Sequence, residues 1–466
     1  MRERVLFSFW ALMAAACGGK AISEQPPPSS HPTNERPTLV AGEMSGSLGV
    51  FAVDPSTGKT TPFGPALPVD ASALQVSQLF TSADGARAIV VLTRKPATPG
   101  WTDLPSPILA GDGTQWVTLF SGVDGASVVN AAQDLSLAVL YHECNGGGGT
   151  GPSGDIVSVV AFDGTQVFDE GSCSPAVRAD TQVKVAPHGA FFVYRNAGGD
   201  TVVRDRGGIE HVAAPGPNAL LPSTIFDTSF VTGSPNGPLW FDASGSPLVV
   251  PGLPSAYDVD ATYAVDGTGL WALDGKTARQ TLSASPDAPL NISNMRGVLT
   301  DSLVTMFDED SNGATKAHAV DASGSTVSTY GPPASPSDPS RVATIANFAQ
   351  FGAEGGPAWL VLDVQELPAN SQSGANPAYR RSEDLWVLRD ANGNLAPQVV
   401  NLRTAPVGDP TATLSLRTYV ASTSGAHALY IENAELHAVD TTTGVDTKLA
   451  VDFTVSDRSI AVSPPS

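Results

Sequence analysis

Basic residues are scarce in this sequence. It contains 25 Lys and Arg against 46 Asp and Glu, which gives a formal net charge of −21. A charge of this sign repels a phosphate backbone instead of releasing its counterions. The sequence therefore predicts no nucleic-acid partner, and solubility alone accounts for the acidic surface.

Linear catalytic and metal-binding motifs are missing as well. No G-x-S-x-G, C-x-x-C or H-E-x-x-H occurs, so neither a hydrolase serine nor a zinc site has support in the sequence. Gly146, Gly148 and Gly151 satisfy G-x-G-x-x-G, but no helix pattern follows them to hold a pyrophosphate. Gly58-Lys59-Thr60 imitates the end of a P-loop without its first glycine and is predicted to be a hairpin turn.

Patterns for long helices are also lacking. The chain has 46 Gly, 38 Pro and only 15% charged residues, a composition typical of short strands and frequent turns. Its 466 residues would suffice for two or three ordinary domains or for one large domain built from β repeats.

The first residues have the pattern of an export signal. Arg2 and Arg4 precede an apolar run, Val5 to Ala16, that is too short to cross a bilayer. The run ends in Leu-Met-Ala-Ala-Ala-Cys17-Gly-Gly, which resembles the lipobox of bacterial lipoproteins, although alanine stands three positions before the cysteine where that family mostly has leucine. The alternative is ordinary cleavage after Ala16, which leaves a free cysteine.

The resemblance implies a signal peptide over 1–16 and a Cys17 that carries lipid. Residues 17–36 would then form a disordered tether, because they are too rich in proline, serine and glycine to bury a core. Several acyl chains make a stable membrane anchor. The expected location is the bacterial cell envelope, at the outer membrane, either periplasmic or surface-exposed.

Lipidation of Cys17 would leave an even pair, Cys144 and Cys173, in an oxidising compartment. We predict a disulfide between them. Both follow predicted strands at the same end of one sheet, with a single strand between. Their loops would have to fold inward, since strands two apart are separated by about 9.5 Å. Two separate buried thiols are the alternative.

One phrase recurs where a strand meets a turn. It reads FAVDPSTG at 51–58, HAVDASG at 318–324 and HAVDTTTG at 437–444, with looser relatives that end at Gly164, Gly245, Gly275 and Gly393. An alternating apolar strand, then Asp, then a glycine able to adopt positive φ is the pattern of a β-hairpin. Each phrase is therefore predicted to join two strands.

A second pattern, an apolar strand after a polar turn, precedes several hairpins, and together the two define four-stranded units. Seven are predicted, at 74–122, 126–170, 178–213, 220–283, 293–331, 340–402 and 415–452. Residues 37–66 supply only the later strands of a further unit, and the segment from Phe453 supplies the earlier ones. Antiparallel repeats of this size are typical of propeller blades.

The run Ser82 to Val90, SADGARAIV, together with the AVD hairpins resembles bacterial WD40-like and TolB-type β-propellers. The resemblance implies an all-β fold, with a single propeller over 37–466 that is closed by the C-terminal strands. We expect about eight blades, with seven to nine admissible because 220–283 can be divided either way. Two stacked β-sandwiches are the alternative.

The strongest site-like cluster is Asp308-Glu-Asp310-Ser-Asn312-Gly313. Asp308, Asp310 and Asn312 match the first half of a calcium-binding loop, but Ala319 stands where its bidentate glutamate belongs. The pattern favours a polar turn between two strands, and these three residues are the candidate calcium ligands if an ion binds there.

Four tryptophans and two histidines allow either a structural or a functional interpretation. The tryptophans 240, 271, 359 and 386 fit packing between blades better than a stacking platform for a quinone or sugar. His318 and His437 occupy the place of Phe51 in their hairpins, which indicates an interchangeable strand position.

The sequence favours a membrane-tethered binding or scaffold lipoprotein that presents propeller loops to an unknown envelope protein or ligand. Catalytic residues and a cofactor are not predicted, apart from the calcium candidate. The alternative is a propeller-type enzyme, hydrolytic or quinone-dependent, whose site is assembled from blade loops.

Overall fold

The computed structural model describes the following parts of the chain: residues 36–95, 106–122, 126–143, 155–169, 183–196, 198–216, 222–232, 238–253, 258–260, 263–266, 269–283, 295–300, 302–310, 313–333, 341–353, 355–368, 379–390, 392–405 and 417–462. These residues form strands and turns, with no helix among them.

Within these ranges the strands form eight antiparallel sheets. One of them, with eight strands, consists of two meanders that pair at Ala314 and Ile345. Counting these two separately gives nine meanders, which we call units 1 to 9; unit 5 has three strands and the others four.

The first five units comprise these strands: unit 1, β1 (Thr38–Met44), β2 (Ser47–Val53), β3 (Thr60–Pro62) and β35 (Thr454–Ile460); unit 2, β4 (Leu74–Thr81), β5 (Ala88–Arg94), β6 (Ile108–Gly111) and β7 (Trp116–Phe120); unit 3, β8 (Ala126–Ala131), β9 (Leu137–Glu143), β10 (Asp155–Ala161) and β11 (Gln166–Asp169); unit 4, β12 (Lys184–Val185), β13 (Phe191–Arg195), β14 (Thr201–Asp205) and β15 (Glu210–Ala214); unit 5, β16 (Pro222–Ile225), β17 (Ser229–Thr232) and β18 (Leu239–Asp242).

The remaining four units comprise these strands: unit 6, β19 (Asp258–Asp260), β20 (Tyr263–Asp266), β21 (Gly269–Leu273) and β22 (Ala278–Ser283); unit 7, β23 (Met295–Thr300), β24 (Leu303–Asp310), β25 (Gly313–Asp321) and β26 (Thr326–Tyr330); unit 8, β27 (Arg341–Gly352), β28 (Ala358–Pro368), β29 (Tyr379–Arg389) and β30 (Leu395–Thr404); unit 9, β31 (Val420–Ala421), β32 (His427–Glu432), β33 (Glu435–Asp440) and β34 (Asp446–Lys448).

The turn after the third strand of each unit, counted from β35 in unit 1, follows the predicted hairpin phrase. In unit 7, Asp321 Oδ1 accepts hydrogen bonds from the backbone N–H groups of Ser323 and Ser325, and Gly324 has φ +81°. An aspartate accepts backbone hydrogen bonds in this way in each of the nine units: Asp54, Asp112, Asp163, Asp205, Asp242, Asp274, Asp321, Asp390 and Asp440. Asp112 and Asp205 belong to hairpins that the sequence patterns missed.

The apolar core lies between units, not within one pair of sheets. Nine clusters of buried side chains each join two units that are consecutive in the chain, and the last of these joins unit 9 to unit 1. Unit 8 shows the pattern: Trp386 packs toward unit 7, and Trp359 packs toward unit 9. Because each unit buries both of its faces, the arrangement differs from stacked sandwiches, in which a sheet buries one.

Both ends of the described chain meet in unit 1. Strand β35 pairs with β1, with Val455 opposite Gly42 and Ile460 opposite Val40. The sequence predicted this pairing from the two half-units. The predicted unit 220–283 instead forms two sheets, units 5 and 6, because the strand ending at Asp242 turns back at Gly245 before β19 begins.

Candidate ligand-binding cleft

A cleft of about 530 Å³ opens between units 7 and 8. It lies where β26 ends, β29 begins and β30 ends, at the end of both units that is remote from their Asp–Gly turns. Its lining residues are Thr329, Tyr330, Gly331, Pro333, Arg381, Ser382, Asp384, Val399, Asn401 and Thr404.

Asp384 lies in the wall of this cleft because of strand alternation. It shares the face of Trp386, which packs toward unit 7, whereas Glu383 points to the opposite side of the sheet. Asp384 Oδ2 accepts a hydrogen bond of 2.6 Å from the Tyr330 hydroxyl, and its Oδ1 accepts one of 2.7 Å from Asn401 Nδ2. Burial, followed by the Asp384 charge, raises the pKa of Tyr330 far above its usual value, so the phenol remains a donor.

Arg381 lines the same cleft and is held in place by two partners. Its Nη1 donates to the Pro333 carbonyl at 2.5 Å and lies 3.2 Å from Glu366 Oε1. Both charged side chains are mostly buried, at 16% and 11% exposure. A register shift between Val364 and Gln365 interrupts the pairing of β28 with β29 at this point.

Ser382 contributes a hydroxyl that is not used by the fold. The residue is 4% exposed, lines the cleft, and its Oγ has no hydrogen-bond partner. Buried polar atoms are almost always paired, so an orphan at the wall of a cleft indicates a group that a ligand or water satisfies.

A carboxylate, an imidazole and a hydroxyl line up on the opposite face of unit 7. His318 Nε2 lies 3.0 Å from Asp308 Oδ2, and His318 Nδ1 lies 3.0 Å from Thr329 Oγ1. Thr329 alternates with Tyr330 along β26, so its hydroxyl faces away from the cleft wall. The Asp308 side chain is 56% exposed, which weakens its hold on the imidazole.

Two of the predicted calcium ligands, Asp308 and Asp310, lie at the end of β24. Asp310 pairs with Gly313 across the two strands, and Asp308 contacts His318. Asn312 lies outside the described residues. Among the residues that are described, no group of three His, Cys, Asp or Glu could hold a metal ion. The calcium site stays a prediction.

Charged side chains also meet on the unit 9 face of unit 8. Glu383 lies 2.9 Å from Arg403 and 3.3 Å from Arg417, and Glu432 lies 2.7 Å and 2.6 Å from the same two arginines. The Tyr419 hydroxyl donates to Glu383 at 2.8 Å. Two positive and two negative charges thus alternate around a ring that links units 8 and 9, which we call the four-charge ring.

The other residues that the sequence analysis named either pack between units or lie outside the described residues. Cys17, Cys144 and Cys173 are outside the described residues, so the lipidation and the disulfide stay predictions. Trp240, Trp271, Trp359 and Trp386 are at most 8% exposed and pack between units, as the packing interpretation predicted. No helix in the described ranges is long and apolar enough to cross a membrane.

Sequence patterns missed the cleft. One signal was available: Arg381-Ser-Glu-Asp384 lies in the first half of β29 and directly precedes four apolar residues, Leu385 to Leu388. Adjacent acidic residues at the start of a strand that buries both faces require partners on both sides of the sheet. The identity of those partners depends on neighbouring units and not on local sequence.

No model of a protein family matches this chain, and no curated protein matches it. Solved structures do. Apo AztD from Citrobacter koseri is 11% identical over 91% of this chain and 97% of its own, with a TM-score of 0.38. The C-terminal WD40 domain of Sif2 is 10% identical over 86% and 91%, with a TM-score of 0.36.

A structure from a study of two prolyl endopeptidases is 10% identical over 87% of this chain, with a TM-score of 0.35. The chain spans 55% of that protein's length. Likeness at this level of identity carries no information about activity.

Proposed function

We propose that the chain is an exported, membrane-tethered binding protein of the bacterial cell envelope. In this proposal residues 1–16 are removed, Cys17 carries the lipid, residues 17–36 form the tether, and residues 37–466 form one β-propeller whose blades are the nine units. The cyclic order of the nine apolar clusters and the β1–β35 pairing support the propeller.

The observation that carries the binding function is the cleft between units 7 and 8. Its charged groups are fixed by contacts within its own wall, and the Ser382 hydroxyl is left without a partner. A preformed polar site of this kind lowers the entropic cost of binding. A ligand of several hundred Å³ or a protruding side chain of an envelope protein fits the volume.

Site-specific photocrosslinking tests this role in intact envelopes. We place p-benzoylphenylalanine at Val399, which lines the cleft and is 51% exposed. The matched control is Val249, which is 89% exposed and outside the cleft. We expect a crosslinked species at Val399 alone. Equal yields at the two positions would remove the cleft as the ligand site.

The anchor has its own test. Mass spectrometry of the mature N-terminus should show a diacylglyceryl-modified Cys17. An unmodified cysteine would remove the tether and leave the cleft proposal standing.

The Asp308–His318–Thr329 line favours a second candidate, a hydrolase, because an imidazole between a carboxylate and a hydroxyl is the arrangement that activates a nucleophile. Turnover of a panel of p-nitrophenyl esters tests it. The hydrolase predicts that Thr329→Val abolishes turnover and that Thr326→Val, on the same strand, retains it. Turnover that is absent, or insensitive to Thr329, would exclude this candidate.

A further inference from the structure

Asp384 is a buried carboxylate with neutral partners only. It is 4% exposed, and it accepts hydrogen bonds from one phenol and one amide. Across the described residues it forms no ion pair. Its neighbour Glu383, on the other face of the same strand, contacts two arginines. Burial of a charge is costly without a compensating charge, so the cleft wall is electrostatically incomplete.

Arg381, the cation among the described lining residues, has a carboxylate partner of its own. Arg381 pairs with Glu366 at 3.2 Å and donates to the Pro333 carbonyl at 2.5 Å. Asp384, Arg381 and Glu366 together therefore carry one negative charge in excess. The net charge of −21 on the whole chain adds a long-range attraction for cations in the same direction.

The free hydrogen-bonding capacity of the wall suits a group with several N–H donors. An ionised carboxylate offers about four acceptor positions, and two of those on Asp384 are in use. Ser382 Oγ, two residues away and also in the wall, has none in use. An ammonium group has three donors and no acceptor, and so matches these two residues.

The dimensions of the cleft favour an organic cation over a metal ion. Its volume of about 530 Å³ far exceeds that of a single ion with its shell of ligands. Val399 and Pro333 add apolar surface to the lining, against which an alkyl stem can pack. The cleft therefore has a charged end for an ammonium group and an apolar side for the chain that carries it.

We propose that this cleft binds a primary alkylammonium group, with Asp384 as its counter-ion and Ser382 Oγ as an acceptor. The group is carried either by a lysine side chain of a peptide or by a free diamine. This inference rests on the proposed binding function and specifies the chemistry of the same site.

Calorimetric titration of the full-length, lipid-modified protein in detergent micelles tests the proposal. The probes are acetyl-Gly-Lys-Gly-amide, acetyl-Gly-norleucine-Gly-amide, which has a similar alkyl stem without the charge, and 1,5-diaminopentane. Since hydrogen bonds to charged groups are strong, we expect the lysine peptide to bind at least about tenfold more tightly than the norleucine peptide. Tighter binding of the diamine than of the lysine peptide would identify the free amine as the source.

Two variants assign the preference to the cleft. Asp384→Asn should abolish the preference for the lysine peptide over the norleucine peptide. The control Asp452→Asn makes an equal charge change at an exposed position and should retain that preference. Ser382→Ala should reduce it about threefold, and this variant decides the matter if Asp384→Asn does not fold. Equal affinities for the two peptides, or a preference that survives both cleft variants, would overturn the proposal.

The two proposals fail in different ways. A Val399 crosslink together with equal peptide affinities would leave the binding function and remove the ammonium ligand. The absence of a cleft-specific crosslink together with the absence of peptide and diamine binding would remove both.

Discussion

The four-charge ring predicts a large stability loss on a nearly isosteric change, Glu383→Gln. The Glu383 side chain is 3% exposed and contacts Arg403 at 2.9 Å and Arg417 at 3.3 Å. The amide keeps the volume but removes the charge, so two mostly buried arginines would share the single carboxylate of Glu432. Breaking a buried ion pair costs about 3–5 kcal/mol. Because Arg403 and Glu432 are partly exposed, we expect Glu383→Gln to lower the free energy of unfolding by about 3 kcal/mol.

The matched control is Glu435→Gln. Glu435 pairs with Lys448 at 2.6 Å, but these side chains are 43% and 58% exposed, so the same chemical change should cost about 0–1 kcal/mol. Urea unfolding at pH 7 measures both free energies. Raising the salt concentration to about 1 M should weaken the Glu435 pair and leave the Glu383 effect nearly unchanged. A cost for Glu383→Gln no greater than that for Glu435→Gln would refute the reasoning.

Three further predictions concern turns and ions. Gly425→Ala should cost about 2–4 kcal/mol of unfolding free energy in urea, because φ is +71° and the new Cβ would overlap the Phe351 ring. The control Gly85→Ala, also at φ +71° but in open space, should cost about 1 kcal/mol. Equal costs for the two variants would contradict this prediction. Hydrogen bonds from a serine hydroxyl and backbone amides lower the pKa of Asp321 below its usual 3.8, so its stabilisation is present above about pH 4 and is lost as the pH falls through the lowered value. Asp321→Asn should therefore flatten the fall in melting temperature between about pH 5 and 2, and an unchanged slope would count against the assignment. A calcium site at Asp308 predicts a melting temperature that rises with calcium and falls with chelator, and a curve insensitive to both would remove the site.

The hairpins could be predicted from the sequence because their determinants are local. Asp321 and Gly324 lie within one turn, and the same is true of Asp54 and Gly58. The missed hairpin at Asp112 shows the limit: its third strand, Ile108–Gly111, has only 4 residues, so the strand half of the phrase is weak.

The cleft could not be predicted because its residues meet only through the packing of two units. Asp384 and Tyr330 are 54 positions apart, and their contact depends on which face of β29 turns toward unit 7. Strand alternation from Trp386 could give that face, but only after the neighbouring unit is known. Sequence patterns ranked Asp308 and Asp310 highest instead, since contiguous acidic residues are visible without a fold.

The pairing of β35 with β1 can form only late in synthesis. The last described strand, Thr454–Ile460, joins residues that left the ribosome more than 400 positions earlier. Until then β1 presents an open edge, which is a template for pairing with other chains. Such a long-range contact also slows folding. A chain that lacks β35 thus exposes an aggregation-prone strand, so truncation before Thr454 should be recognised by proteases or chaperones even though the cleft residues are all present.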